Sequence, residues 1–226
     1  MRKLFFILFL ILPFFLNAQV LNEDDLGSYR EDQLYVGFSF ISLDANNKYF
    51  KQNGLSSHFQ LGFVRDIPLI SSGKFAIGIG VGYSFQQFNS NIIRVGIDNE
   101  NSIFTVSNSN SNLEKSLLSI NFIEFPISLR WRNSSIKDYQ FWRVYTGIKF
   151  QRNFFSKLKI NNGDSKNISK EINNWNKDLY LSFGYNTWNF YFSYGLNQII
   201  KNLKIQDSNK LFKVKPFKIG LIFYLL

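Results

Sequence analysis

Six charged side chains stand where they could share one enclosed space. Glu124, Arg130 and Arg132 fall on one parity of an alternating apolar stretch, Arg143 and Lys149 on one parity of the next, and Lys218 on one parity of the last. Such a group can form an anion-selective passage, or it can neutralise itself as ion pairs and water filling a narrow interior. His58 is the only histidine, so metal centres and proton relays that need paired imidazoles are excluded. Alone it could serve a hydrolase that pairs it with Ser56 or Ser57 and a carboxylate such as Asp44. Nothing in the spacing requires that geometry, and His58 is expected as a rim residue at the external end of its strand. The chain has no cysteine, which removes disulfides, thiolate metal sites, a cysteine nucleophile and lipid attachment through an N-terminal cysteine. Gly78, Gly80 and Gly82 spell GxGxG, but the third glycine is misplaced for a dinucleotide fingerprint and no helix follows. No catalytic, metal-binding or cofactor-binding residue is assigned, and no cofactor is expected.

The elements that must carry these residues are strands. From Ala76 to Phe85, Ile77, Ile79, Val81, Tyr83 and Phe85 occupy one parity, and Ala76, Gly78, Gly80, Gly82 and Ser84 the other. The same period of two recurs at 34–43, 58–65, 122–132, 141–152, 179–185, 190–197 and 217–225. All six charges named above share a parity with glycines and serines, while the opposite parity is almost wholly Phe, Ile, Leu, Val, Tyr and Trp. Polar residues inward and greasy residues outward are the arrangement of a transmembrane barrel, the reverse of a soluble one. The fold class expected is all-β, an eight-stranded antiparallel up-and-down transmembrane β-barrel over residues 34–226. A bilayer leaves no partner for the backbone at an open sheet edge, so strands must close to cross it.

Residues 1–18 read as a signal peptide. Arg2 and Lys3 precede the apolar run Leu4 to Leu16, and Asn17-Ala18-Gln19 offers a cleavage site after Ala18. The run is shorter than the roughly 20 residues a helical span needs, and Pro13 interrupts it. Cleavage would remove Arg2 and Lys3 and leave 24 basic against 16 acidic side chains, a balance of +8. Residues 19–33 are expected as a periplasmic N-terminal segment. Long connections at 44–57, 86–121, 153–178 and 198–216 alternate with short ones at 66–73, 133–140 and 186–189. Barrels of this kind have long external loops and short periplasmic turns, which puts both termini in the periplasm of a Gram-negative cell's outer membrane.

Trp131, Trp142 and Trp188 then fall at periplasmic strand ends, as interface aromatics. A symmetric 133–140 turn would set Trp131 opposite Trp142 and Glu124 opposite Lys149. Within 86–121, the runs 92–95 and 103–106 flank Asp98-Asn99-Glu100-Asn101 and suggest a hairpin on an exposed ribbon. Lys157, Lys159, Lys166, Lys170 and Lys177 against Asp164, Glu171 and Asp178 make the third loop mildly basic. It could meet outer-membrane lipid phosphates or be an ordinary solvated loop. A pI of 9.7 without a basic and aromatic module does not indicate nucleic acid.

The segments Phe122-Ile-Glu-Phe-Pro-Ile-Ser-Leu-Arg-Trp-Arg132, Phe141-Trp-Arg-Val-Tyr-Thr-Gly147, Gly184-Tyr-Asn-Thr-Trp188 and Lys218 to Leu226 resemble the PorT-like family of outer-membrane β-barrel proteins. The resemblance implies a cleaved leader, one small barrel and no established catalytic residues. The family's namesake is an accessory of a secretion and gliding apparatus. Four functions stay open: a monomeric, non-enzymatic platform with an occluded polar lumen acting through its external loops; an accessory binding secretion-apparatus or other envelope proteins; a small-solute channel of the porin kind; and a lipid-modifying enzyme centred on His58.

Overall fold

A computed structural model describes residues 32–45, 50–98, 101–106, 115–133, 141–160, 163, 165–201, 203–205, 208–211 and 213–225. The proposed leader, and the N-terminal segment up to residue 31, lie outside them. Among the described residues thirteen strands follow one another: β1 (Gln33–Ala45), β2 (Ser56–Pro68), β3 (Phe75–Ser90), β4 (Ile92–Asp98), β5 (Asn101–Val106), β6 (Ser116–Arg132), β7 (Trp142–Ile160), β8 (Ser165–Asn167), β9 (Trp175–Tyr185), β10 (Trp188–Gly195), β11 (Leu203–Ile205), β12 (Ser208–Leu211) and β13 (Val214–Leu225).

Eight of them close into the expected antiparallel up-and-down barrel. The order β6-β3-β2-β1-β13-β10-β9-β7 is completed by pairing of β6 with β7, so no barrel strand is left as an edge. The expected parity holds along each barrel strand, except that on β7 the bulge at Phe154 exchanges inward and outward parities for the residues beyond it. Phe38, Phe40 and Phe190 are all more than half exposed on the outside, whereas Tyr35, Tyr145 and Tyr191 are buried inside. A continuous exposed apolar surface of this extent suits lipid.

The ladders run further toward the long-loop end than the apolar alternation indicates. β3 continues to Ser90, β6 begins at Ser116, β7 continues to Ile160 and β9 begins at Trp175. Beyond the bilayer the outward positions no longer need to be greasy, so Ser, Asn and Gln carry the hydrogen-bonded ladder onward. The register of β6 with β7 also differs from the symmetric-turn expectation by two residues. Trp131 faces Val144 and Glu124 faces Gln151, with a bulge at Asn121/Phe122. A shift of two keeps every side chain on its face.

The hairpin expected near residue 98 is β4–β5, but it is no simple extension of the barrel. It belongs to a separate four-stranded sheet, β12-β11-β5-β4, in which β11 runs parallel to β5. The second and fourth long connections are thereby joined above the barrel.

The interior has two parts. Around the middle and the short-turn end lies an aromatic group: Tyr35, Tyr145, Tyr180, Tyr191 and Tyr224, with Val64 and Ile222. At the long-loop end lies a dry apolar core built from Ile41, Phe88, Leu118, Ile120, Phe122, Leu158 and Val214 of the barrel. Ile92 of β4 and Ile168, Ile172, Ile199, Ile200 and Leu203 of the connections complete it. The expectation of a polar lumen therefore holds only for the membrane-level part. The third and fourth connections fold into the mouth and are stitched there by an Ile172–Ile200 bridge and by Asn173 N–H donating to Ile199 O at 2.9 Å.

Candidate functional site

The inward parity delivers all six charges to the lumen. Glu124, Arg130, Arg132, Arg143, Lys149 and Lys218 are each buried to within 2% of complete exclusion from solvent. Ionised groups can remain so buried only when paired and hydrogen-bonded, and the strand pairings supply the partners in three places along the bore.

Near the short-turn end, Asp66 of β2 accepts from both Arg130 and Arg132 of β6. Arg130 also donates through Nη2 to Gln33 Oε1 at 2.6 Å and lies 3.9 Å from the centre of the Tyr145 ring. Arg143 faces Arg132 across the β6–β7 ladder and stacks over Phe141 at 4.4 Å.

In the middle, Glu124 is the hub. Tyr35 donates its hydroxyl to Glu124 Oε1 at 2.7 Å, Lys149 Nζ donates to the same oxygen at 3.2 Å, and Gln151 Nε2 reaches Oε2 at 3.4 Å. Lys149 also donates to Gln60. The Glu124–Lys149 pair thus forms despite the two-residue register difference, because a diagonal neighbour stays within reach of a long side chain. The Tyr35 ring needs room to get there. A Cβ on Gly82 would lie 2.2 Å from its hydroxyl oxygen and one on Gly62 2.5 Å away, and Gly62 faces Gly82 across β2 and β3. Of the GxGxG run, Gly82 therefore makes space for the donor to Glu124, while Gly78 lies against Ser128, Arg130 and Val64 and Gly80 against Val64 and Pro126.

Toward the long-loop end, Lys218 of β13 pairs with Asp178 of β9 at 2.5 Å, and Ser193 lies 3.5 Å from the same carboxylate oxygen. Asp66 and Asp178 are the functional residues that sequence reasoning misplaced, in a periplasmic turn and in the third external loop. Both lie inside strands that outrun the apolar pattern, on the lumen parity. That parity was their available signal. Among the described residues, five cations face three carboxylates inside the barrel, where the sequence reading saw one obvious acid.

His58 is not a rim residue. It is buried at 2% exposure, sits opposite Ser39 and Gln86 in the ladders, and stacks with Tyr191 at 6.2 Å between ring centres. The neighbouring strands and the folded connections continue past it. Neither Ser56, Ser57 nor Asp44 is brought to its ring nitrogens, which have no hydrogen-bond partner among the described residues.

Trp131, Trp142 and Trp188 lie exposed on the outward face at the short-turn strand ends. Trp142 packs edge-on to Tyr185 at 5.6 Å, Trp188 edge-on to Phe223 at 4.8 Å, and Trp131 pairs across the ladder with Phe75. Trp131 and Trp142 are not cross-strand partners, because of the register.

This arrangement can neutralise buried charge and stiffen the barrel, but it leaves little space. Tyr35, Pro126, Arg130, Lys149, Tyr180 and Tyr224 border a cavity of about 10 Å³, the size of a single water.

Comparison with solved structures finds likeness to Ail, the attachment invasion locus protein of Yersinia pestis. Against Ail in complex with the heparin analogue sucrose octasulfate the identity is 12% and the TM-score 0.38, covering 87% of this chain and 99% of that one. Against Ail alone the values are 11% and 0.34, covering 86% and 97%. No curated protein matches. The family model described as outer membrane protein beta-barrel domain matches residues 17–201, most of the chain. With a closed barrel, an apolar outer face and a charged lumen already in place, this chain belongs to the outer membrane protein beta-barrel domain family.

Proposed function

We propose that the protein is a monomeric, non-enzymatic barrel whose filled interior is a rigid scaffold and whose external structure makes the functional contacts. The observation that carries this reading is the four-stranded sheet β12-β11-β5-β4, in which two connections about a hundred residues apart in sequence are built into one external surface. Replacing residues 92–106 by a short Gly/Ser loop tests it. The barrel should still fold, migrating differently on gels before and after boiling, while proteins crosslinked to it in intact envelopes are lost. An unchanged set of crosslinked partners would reject the platform.

The channel reading has less support, because tyrosines and ion pairs fill the bore and apolar residues cap its mouth. Kinship with the PorT-like group is our reading of the Phe122–Arg132 and C-terminal segments, and with it comes an accessory role in protein export as the second reading. Normal export of cargo proteins in a deletion strain would remove that role. We further infer that the leader is cleaved after Ala18 and that the cell is Gram-negative; a mature N-terminus other than Gln19 would contradict the cleavage.

A further inference from the structure

Charge is distributed unevenly over the outward parity of the barrel. β3, β6 and β10 carry none there, and on β1 and β13 the outward Asp44 and Lys215 face one another. Arg65, near the short-turn end, is within 3.8 Å of Asp32. One sector differs. On β7 and β9 the outward parity presents Arg152, Lys157, Lys159 and Lys177, all exposed. No carboxylate shares that parity on these two strands, and no ion pair involves these four among the described residues.

The same seam holds a groove. Phe125, Phe150 and Lys177 form one row across β6, β7 and β9, and Arg152 and Trp175 face each other in the next. Phe125 and Trp175 lie 6.1 Å apart between ring centres, and the Arg152 guanidinium sits 5.5 Å from the Trp175 ring. Between Phe125, Phe150, Trp175 and the Lys177 stem lies a shallow, open depression of about 340 Å³ whose exposed wall is carbon.

Depth places this groove in the outer leaflet. Tyr185 belongs to the inner aromatic girdle, and Trp175 stands ten residues up the same strand. At a rise of about 3.3 Å per residue and a tilt of about 40°, that span is roughly 25 Å, the height of the apolar band. Trp175 therefore marks the outer girdle, with Lys177 about 5 Å below it, able to lift its ammonium to the headgroups along its apolar stem.

We propose that the β7–β9 seam binds one phosphorylated lipid of the outer leaflet. An acyl chain lies in the Phe125–Phe150–Trp175 groove, and the phosphate is held between Lys177 and Arg152. Cations with no carboxylate partner attract phosphate at headgroup level, and the apolar depression beside Lys177 and below Arg152 favours a ligand whose anion is attached to a chain.

The full-length barrel, folded in zwitterionic detergent, should retain bisphosphorylated diglucosamine lipid (lipid A) in native mass spectrometry. Dephosphorylated lipid A should be retained at least tenfold more weakly, and inorganic phosphate should not compete. Lys177→Gln with Arg152→Gln should also weaken retention at least tenfold, whereas the charge-preserving Lys177→Arg with Arg152→Lys keeps it. Equal retention of the two lipids would overturn the site whatever the variants do, since that arm uses the unaltered protein. Competition by inorganic phosphate would overturn it too, by showing a soluble-anion site.

Discussion

Glu124 shows how much a single lumen residue is asked to do. It accepts from Tyr35 and Lys149 on one oxygen and from Gln151 on the other. Removing it strands the Lys149 ammonium in a closed interior. Glu124→Ala is expected to destabilise the barrel by about 3–5 kcal/mol, read from the denaturant midpoint of unfolding in lipid vesicles. Glu124→Gln combined with Lys149→Met removes both charges and should recover most of that loss. If the double variant is no more stable than Glu124→Ala, the pair is not the reason for the cost. Tyr35→Phe deletes one donor and should cost about 1–3 kcal/mol in the same measurement.

Strand pairing decides which residues meet, and it is open to a direct test because the chain has no native cysteine. Trp131→Cys with Val144→Cys places two thiols on facing positions of β6 and β7. Facing Cα atoms in an antiparallel ladder are about 4.5–5.5 Å apart, within disulfide range. This pair should crosslink on oxidation, while Trp131→Cys with Trp142→Cys should not; the opposite outcome would restore the symmetric turn. On β3, Gly82→Val drives a branched side chain into the Tyr35 hydroxyl and the Leu61 carbonyl oxygen, which lies 2.6 Å from a Cβ at that position. Overpacking of this kind costs about 1–3 kcal/mol, seen as a lower unfolding midpoint.

Viewed whole, the molecule is sealed twice. The membrane-level bore is filled by tyrosines and ion pairs, and its outer mouth by the apolar core to which Ile92 and the third and fourth connections contribute. Planar bilayers holding the purified barrel should therefore show no stable conductance steps, and reproducible steps would refute the closed interior. Ile172 and Ile200, buried where the two connections meet, should each cost about 2–5 kcal/mol when changed to Ala. Their loss should also raise proteolysis within residues 163–174 and 196–213 and leave the membrane-level barrel intact on heat-modifiability gels.

Period-two patterning by itself determined the eight barrel strands and their inward and outward faces, because each rests on local alternation. It also determined that Glu124, Arg130, Arg132, Arg143, Lys149 and Lys218 look inward and that Trp131, Trp142 and Trp188 lie at one rim. Tertiary structure alone decided who partners whom. The Asp66 and Asp178 carboxylates keep the lumen parity but lie beyond the apolar alternation, and the ladder pairings are what carry the strands out to them. The two-residue register of β6 and β7 leaves every face unchanged and so leaves no trace in the pattern. Likewise Ile168, Ile172, Ile199 and Ile200 stand out as apolar residues in polar connections, yet only closure of the barrel gives them a common mouth to fill. Local periodicity sets which way a side chain points; contacts between distant segments arise when the sheet closes and brings those directions to one place.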